Sequence, residues 1–136
     1  MTELLLVAAA ALVDADGRVL LAQRPDTKAH PLMWEFPGGK LEPGETPEKA
    51  LIRELAEELD IKVTESCLAP IAFASMALET VHILMPLFLC RKWEGIPQAL
   101  DVAKISWVRP QRLLSYDLVP ADRPLAAQLR DFLGKV

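Results

Sequence analysis

Little in this 136-residue chain is there to staple, anchor or charge it. Its two cysteines, Cys67 and Cys90, stand far apart, with no Cys-x-x-Cys and no Cys/His spacing suited to zinc. That argues against a disulfide framework or a structural zinc site and reads as two buried thiols in a reducing compartment. Excess base is missing too: the formal net charge is -4. A non-specific grip on polymeric nucleic acid or on an anionic membrane rests on summed positive charge, so neither partner is expected. There is no run long enough to span a bilayer. The apolar stretch "LLLVAAAALV", residues 4–13, follows Glu3 where a signal peptide would carry positive charge, and it ends in "DADG". It reads as a buried strand leading into a turn, and the protein as cytoplasmic. Repeats, low-complexity tracts and linkers are also absent. What is there, 51% hydrophobic residues, suffices for one compact domain over 1–136.

The chain punctuates clearly. "LLLVAAAALV" and "RVLLAQR", joined by an Asp-Gly turn, read as the first two strands of a sheet. Residues 24–37 contain three prolines and no sustained period, so they predict a loop with a short extended piece at Glu35 and Phe36. Thr46 as N-cap and Pro47 in the first turn predict a helix to about Leu59. Strands are expected over 68–78 and 81–90, a turn at "WEGIPQ", a strand at "KISWV" and a helical turn at "PQRLLSY". A last helix is expected with Asp122 as N-cap and Gly134 as stop. These elements imply an α/β fold with a mixed sheet between helices.

The first helix carries the chemistry. At about 100° per residue, Leu51, Ile52, Leu55, Ala56 and Leu59 share one face, and Glu54, Glu57 and Glu58 fall together on another. Glu54 then opposes both other acids, each like pair costing a few tenths of a kcal/mol. A solvated acidic face would explain this, but the loop in front argues for more. Gly38, Gly39 and Gly44 let backbone carbonyls approach closely, and clustered carboxylates with carbonyls suit a hard cation such as Mg²⁺.

Gly39, five residues, Glu45, seven residues, then "RELAEELDI" from Arg53 to Ile61 resembles the Nudix box, G-x5-E-x7-R-E-U-x-E-E-x-G-U with U apolar. Only the final glycine differs. It is Asp60, at a helix end where Asp tolerates the left-handed conformation. Arg24, "EFPGGK", "KWEG", Trp107 and "PADRP" extend the resemblance to the MutT-like nucleoside triphosphate pyrophosphohydrolases. The resemblance implies a Nudix α/β/α sandwich that splits a nucleoside triphosphate into monophosphate and pyrophosphate, using Mg²⁺ or Mn²⁺. It implies that Glu54, Glu57, Glu58 and the Gly39 carbonyl hold metal, that Arg53 orients these carboxylates, and that Glu45 braces the loop. It further places Arg24 at the substrate and the Phe36 backbone at the base. Asp101, six residues before Trp107, stands where the family leads one to expect a Glu that binds metal and activates water; Glu58 is the alternative base.

Other residues are less defined. Lys40 either contacts phosphate or is solvated, His82 either packs or touches substrate, and His30 reads as solvated. Trp34, Trp93 and Trp107 read as packing. Asp122 in "PADRP" replaces an Asn of the 8-oxo-dGTP-specific pattern. Ionised Asp only accepts hydrogen bonds, which would suit the amino group of cytosine better than O6 of an oxidised guanine. The expected activity is removal of 8-oxo-dGTP from the nucleotide pool, with CTP or a modified dCTP as the second substrate class. ADP-ribose, dinucleoside polyphosphates and capped RNA ends are disfavoured by the short chain and lack of a basic patch, and a non-catalytic Nudix module by the intact glutamates. The sequence leaves monomer and homodimer equally open.

Overall fold

The structure, a computed structural model, describes residues 2–134. Two sheets organise it. The larger has the order β4 (Gly38–Lys40), β1 (Glu3–Leu12), β6 (Val81–Cys90), β5 (Ala69–Ala77). Its β1 runs parallel to β6, and the two flanking pairs are antiparallel. The smaller is antiparallel, in the order β3 (Trp34–Glu35), β2 (Val19–Gln23), β7 (Lys104–Val108). This is the expected mixed α/β arrangement, with one revision: the first two strands do not share a sheet. An isolated bridge, Val13 to Val19, and the Asp14 N–H to Arg18 carbonyl bond link them across the Asp-Gly turn.

β1 explains why four consecutive alanines occur. Residues 8–13 are all buried, because each face of the strand supports a separate core. Ala8, Ala10 and Leu12 meet Leu51, Leu55 and Leu59 of α1 (Pro47–Leu59). Ala9, Ala11 and Val13 meet Leu125, Ala126 and Leu129 of α2 (Asp122–Leu133). Side chains alternate along a strand, and small ones let both helices approach a doubly covered sheet. Ala56, assigned to the apolar face of α1, is exposed instead, and Ala50 takes the buried position at the other edge of the stripe.

The ends of α1 follow from local chemistry. Thr46 Oγ1 accepts the Lys49 N–H at 3.2 Å, and Pro47 occupies the first turn, where no N–H is needed. At the other end Asp60 adopts φ 58°, ψ 39°, and its N–H reaches the Ala56 carbonyl. The next unpaired carbonyls, those of Glu58 and Leu59, accept N–H groups from Gln98, Leu100 and Asp101, so the 98–101 loop is fastened to the helix end.

Residues 34 and 35, not 35 and 36, form the short extended piece, and Gly38–Lys40 is a strand that the glycines obscured. Asp122 is not the cap of α2. Ala121 holds that position without a side-chain bond, and Asp122 lies in the first turn with its carboxylate turned into the protein. Trp93 stacks on Trp107 with ring centres 6.1 Å apart, and Trp34 meets Tyr116 edge-on at 5.2 Å. Cys90 is buried and Cys67 half-buried, both as free thiols. Among the described residues no helix is long and apolar enough to cross a membrane.

Candidate active site

A cleft of about 680 Å³ opens between β1, the 25–40 segment, the start of α2 and the 101–102 loop. Its lining includes the apolar Val7, Met76, Ile83 and Met85 and the polar Arg24, Lys28, His30, Glu35, Lys40, Glu54, Glu58, Asp101 and Asp122.

The helix end is built around Arg53. Its guanidinium donates to both oxygens of Glu45, at 2.8 and 2.9 Å, to Glu54 at 2.7 Å and to the Lys40 carbonyl at 3.2 Å. Glu57 stands 3.6 Å from the same guanidinium. These contacts hold Glu45 down at about 2, helped by the Glu42 N–H, and raise Arg53 above its usual range, Glu45 contributing most. Glu45 therefore ties the loop to the helix through one arginine. The two glycines of β4 have separate reasons. A Cβ on Gly38, at φ 149°, would collide with the Ala8 backbone; a Cβ on Gly39 would fall 2.5 Å from the Glu54 carboxyl carbon. Gly39 thus brings the β4 backbone against a carboxylate with nothing between.

Glu58 is handled differently. It accepts the Gly38 N–H at 3.2 Å and, among the described residues, has no cationic hydrogen-bond partner. Burial pushes its carboxyl up to about 8, against the Gly38 bond, and the charges of Glu54 and Glu35 add to the effect. Glu57 is exposed and does not line the cleft. Asp101 does line it, exposed, its N–H bonded to the Glu58 carbonyl. The expected ligand set is therefore not gathered at one point. Among the described residues no three acidic, His or Cys side chains are grouped so as to hold an ion; Glu54 and Glu57 lie beside Arg53 and Glu58 beside Gly38.

At the other end Asp122, only 3% exposed, accepts the Phe36 N–H at 2.8 Å across 86 residues of sequence. Burial pushes its carboxyl up to about 8, with the charge of Glu35 adding to it and Arg24 and the Phe36 bond opposing it. Arg24 is itself engaged: Nη1 donates to Glu35 at 3.0 and 3.2 Å and Nε to the Ala29 carbonyl at 2.6 Å. Burial raises Glu35 in spite of that pair. Glu35 escaped sequence reasoning. Its signal was adjacency: strand pairing sets Ala22 opposite Glu35, which brings an acid beside Arg24. Lys40 lies at the rim, exposed. His82 is outside the cleft: along β6 Ile83 and Met85 face inward, so His82 faces the opposite side, where it bonds Ser75 Oγ at 2.6 Å.

Residues 4–129 match the NUDIX domain. The chain belongs to the Nudix family. It is 37% identical over 116 residues to a CTP pyrophosphohydrolase of Escherichia coli K12, covering 85% of this chain and 84% of that one. To an 8-oxo-dGTP diphosphatase of Proteus vulgaris it is 42% identical over 96 residues, covering 65% of this chain and 78% of that one. The solution structure of the E. coli ORF135 protein superposes with a TM-score of 0.84 at 34% identity, covering 96% of this chain and 91% of the other. In this Nudix hydrolase the segment resembling the box spans β4, the following loop and α1, and Glu54 and Glu58 of that helix line the cleft.

Proposed function

We propose that this Nudix hydrolase is a nucleoside triphosphate pyrophosphohydrolase that binds the base beside Asp122 and Phe36 and cleaves at the Glu54–Glu58 end of the cleft. The observation that carries the reading is the cleft itself: one opening is lined both by the buried Asp122 carboxyl and by the box residues Gly39, Glu54 and Glu58. One domain, acting in the cytoplasm as a monomer or homodimer, is sufficient for this.

In chemical type, though not in their present grouping, the residues fit a hard divalent cation. The Gly39 backbone, which only a glycine allows so near Glu54, and the buried Glu58 carboxyl are the donors that such an ion accepts. Glu54, Glu58 and the Gly39 carbonyl would hold Mg²⁺ or Mn²⁺, with Glu57 and Asp101 completing the set from exposed positions that cost little to reorient. Such an ion neutralises phosphate charge and acidifies water. Arg53 keeps Glu54 in place through a charge-assisted bond and so acts as a positioning residue. Asp101 accepts the proton of the attacking water, with Glu58 as the second choice for that role. Arg24 and Lys40 face the substrate. The Phe36 N–H is committed to Asp122, so Phe36 orients the base reader.

Asp122 bears on the substrate. An acid held near 8 is largely protonated at neutral pH, and a carboxylic acid offers a donor and an acceptor side by side, as the amide of Asn does. It suits the O6 and N7–H edge of 8-oxo-guanine, which removes the objection that an ionised Asp would repel O6. On this ground 8-oxo-dGTP is the first substrate. The same pair suits N3 and the N4 amino group of cytosine, which keeps CTP and 5-methyl-dCTP as the second reading, alongside the likeness to a CTP pyrophosphohydrolase. Pyrophosphate release with Mg²⁺ over 8-oxo-dGTP, dGTP, CTP and 5-methyl-dCTP is the test. A kcat/KM for 8-oxo-dGTP above the other three is expected. Silence across the panel would leave a non-catalytic binding module.

A further inference from the structure

The loop from Pro25 to Met33 is exposed along most of its length, yet it is tied down. Arg24 Nε donates to the Ala29 carbonyl at 2.6 Å, Gln23 Nε2 to the Leu32 carbonyl at 3.0 Å, and the Leu32 N–H returns to the Arg24 carbonyl at 3.2 Å. His30 and Leu32, on either side of Pro31, hold φ of 52° and 59°, a left-handed conformation unfavourable for any residue with a Cβ. Strain kept by surrounding bonds marks a conformation that serves a purpose. Here its result is to set Lys28, Ala29 and His30 against the cleft wall.

The cations of the cleft divide by position. Arg24 is bonded to Glu35, the neighbour of the Phe36 that holds Asp122, and so belongs to the base end. Lys28 stands farther along the loop and lines the same cleft as Glu54 and Glu58. Arg24 has spent two of its nitrogens on Glu35 and Ala29, whereas among the described residues the Lys28 ammonium forms neither an ion pair nor a hydrogen bond. A triphosphate with its base at Asp122 and its scissile bond at Glu54 and Glu58 lays its charge beneath this loop, in a chain whose net charge is itself -4. An ammonium is a compact point charge suited to phosphate oxygens.

We propose that Lys28 binds the pyrophosphate half of the substrate, contacting the β- and γ-phosphates and the pyrophosphate product. This rests on the reading of the chain as a triphosphate pyrophosphohydrolase. The test compares wild type, Lys28→Met and Lys28→Arg in Mg²⁺ buffer, using whichever triphosphate the wild type hydrolyses, with inorganic pyrophosphate and the matching nucleoside monophosphate as inhibitors. Lys28→Met should weaken inhibition by pyrophosphate about tenfold and raise KM by a similar factor, with the monophosphate within twofold of wild type. Lys28→Arg should keep most of the pyrophosphate affinity. Unchanged pyrophosphate inhibition in Lys28→Met, or equal weakening for both inhibitors, overturns the proposal. Should the wild type hydrolyse no triphosphate, it is the underlying reading that falls. Calorimetric titration of pyrophosphate into wild type and Lys28→Met then decides the role of Lys28: weaker binding by the variant supports it, and equal binding ends it.

Discussion

The two ends of the cleft keep carboxyl groups in opposite ways. At the helix end an arginine supplies counter-charge: Arg53 reaches Glu45, Glu54 and Glu57, and the acid it grips hardest is held at about 2. At the base end Asp122 has one backbone N–H and almost no solvent, and its carboxyl rises to about 8. Glu58 stands between, next to the arginine-bound acids in sequence but stabilised, like Asp122, by one backbone N–H. The same functional group is thus set up as a fixed anion at one end, fit for cations, and as a neutral donor at the other, fit for a base edge. Burial against an available counter-charge decides which.

Removing the helix acids tests the contrast most severely. Glu57→Gln removes a charge and Glu58→Gln a carboxyl oxygen that ionises onto a bound cation, both at constant size, so each should lower kcat by orders of magnitude with the circular dichroism spectrum unchanged. Near-normal turnover in both would dissolve the difference between the two ends. Next in size is Asp101→Asn, expected to depress kcat by about 10²–10⁴-fold with KM little moved, as for loss of a general base. Should Glu58→Gln alone show that pattern, the proton goes to Glu58.

The base end gives a smaller and pH-dependent effect. Above pH 8 wild-type Asp122 is an acceptor only, so Asp122→Asn should shift kcat/KM toward 8-oxo-dGTP over CTP by roughly ten- to a hundredfold. Near pH 6 the acid already behaves as the amide would, and the shift should shrink to a few-fold. A preference equal at both pH values would show that Asp122 does not read the base in its protonated form.

The smallest effect is on stability. The folded carboxyl of Asp122 sits near 8 against an ordinary 3.8, so between those values the folded state holds the extra proton. Its stabilising contribution is complete below about pH 4 and is lost as pH rises through 8; Glu35 and Glu58, also raised, act in the same direction. Urea denaturation of the metal-free protein should give a lower midpoint at pH 9 than at pH 5. Asp122→Asn, which cannot ionise, should flatten part of that slope, and an unchanged slope would remove Asp122 as its source.

These ends were unequally legible in the sequence. Glu45, Arg53 and Glu54 lie within nine residues of one another, and the resemblance to the Nudix box implied the contact that the structure contains. The Phe36–Asp122 bond joins residues 86 apart, and nothing near Asp122 distinguishes a helix cap from a side chain turned inward. His82 illustrates the same limit: its face depends on the register of β6 against β1, where Leu4 stands opposite, and not on its neighbours.

The sequence by itself determined most of the elements and the box: where α1 starts and stops, the leucines of the stripe that buries it, and a row of acids behind a glycine-rich loop, though not the β4 strand within that loop. These depend on helical period, caps and local spacing, which a linear pattern contains in full. Only the tertiary structure decided that β1 and β2 belong to different sheets, that Arg53 gathers Glu54 and Glu57 while Glu58 is left to Gly38, that Glu35 neutralises Arg24, and that Asp122 is a buried acid near 8. Each of those outcomes is set by how much water and which charges remain around a group once distant segments have packed, and solvent access and charge proximity are properties of the assembled fold.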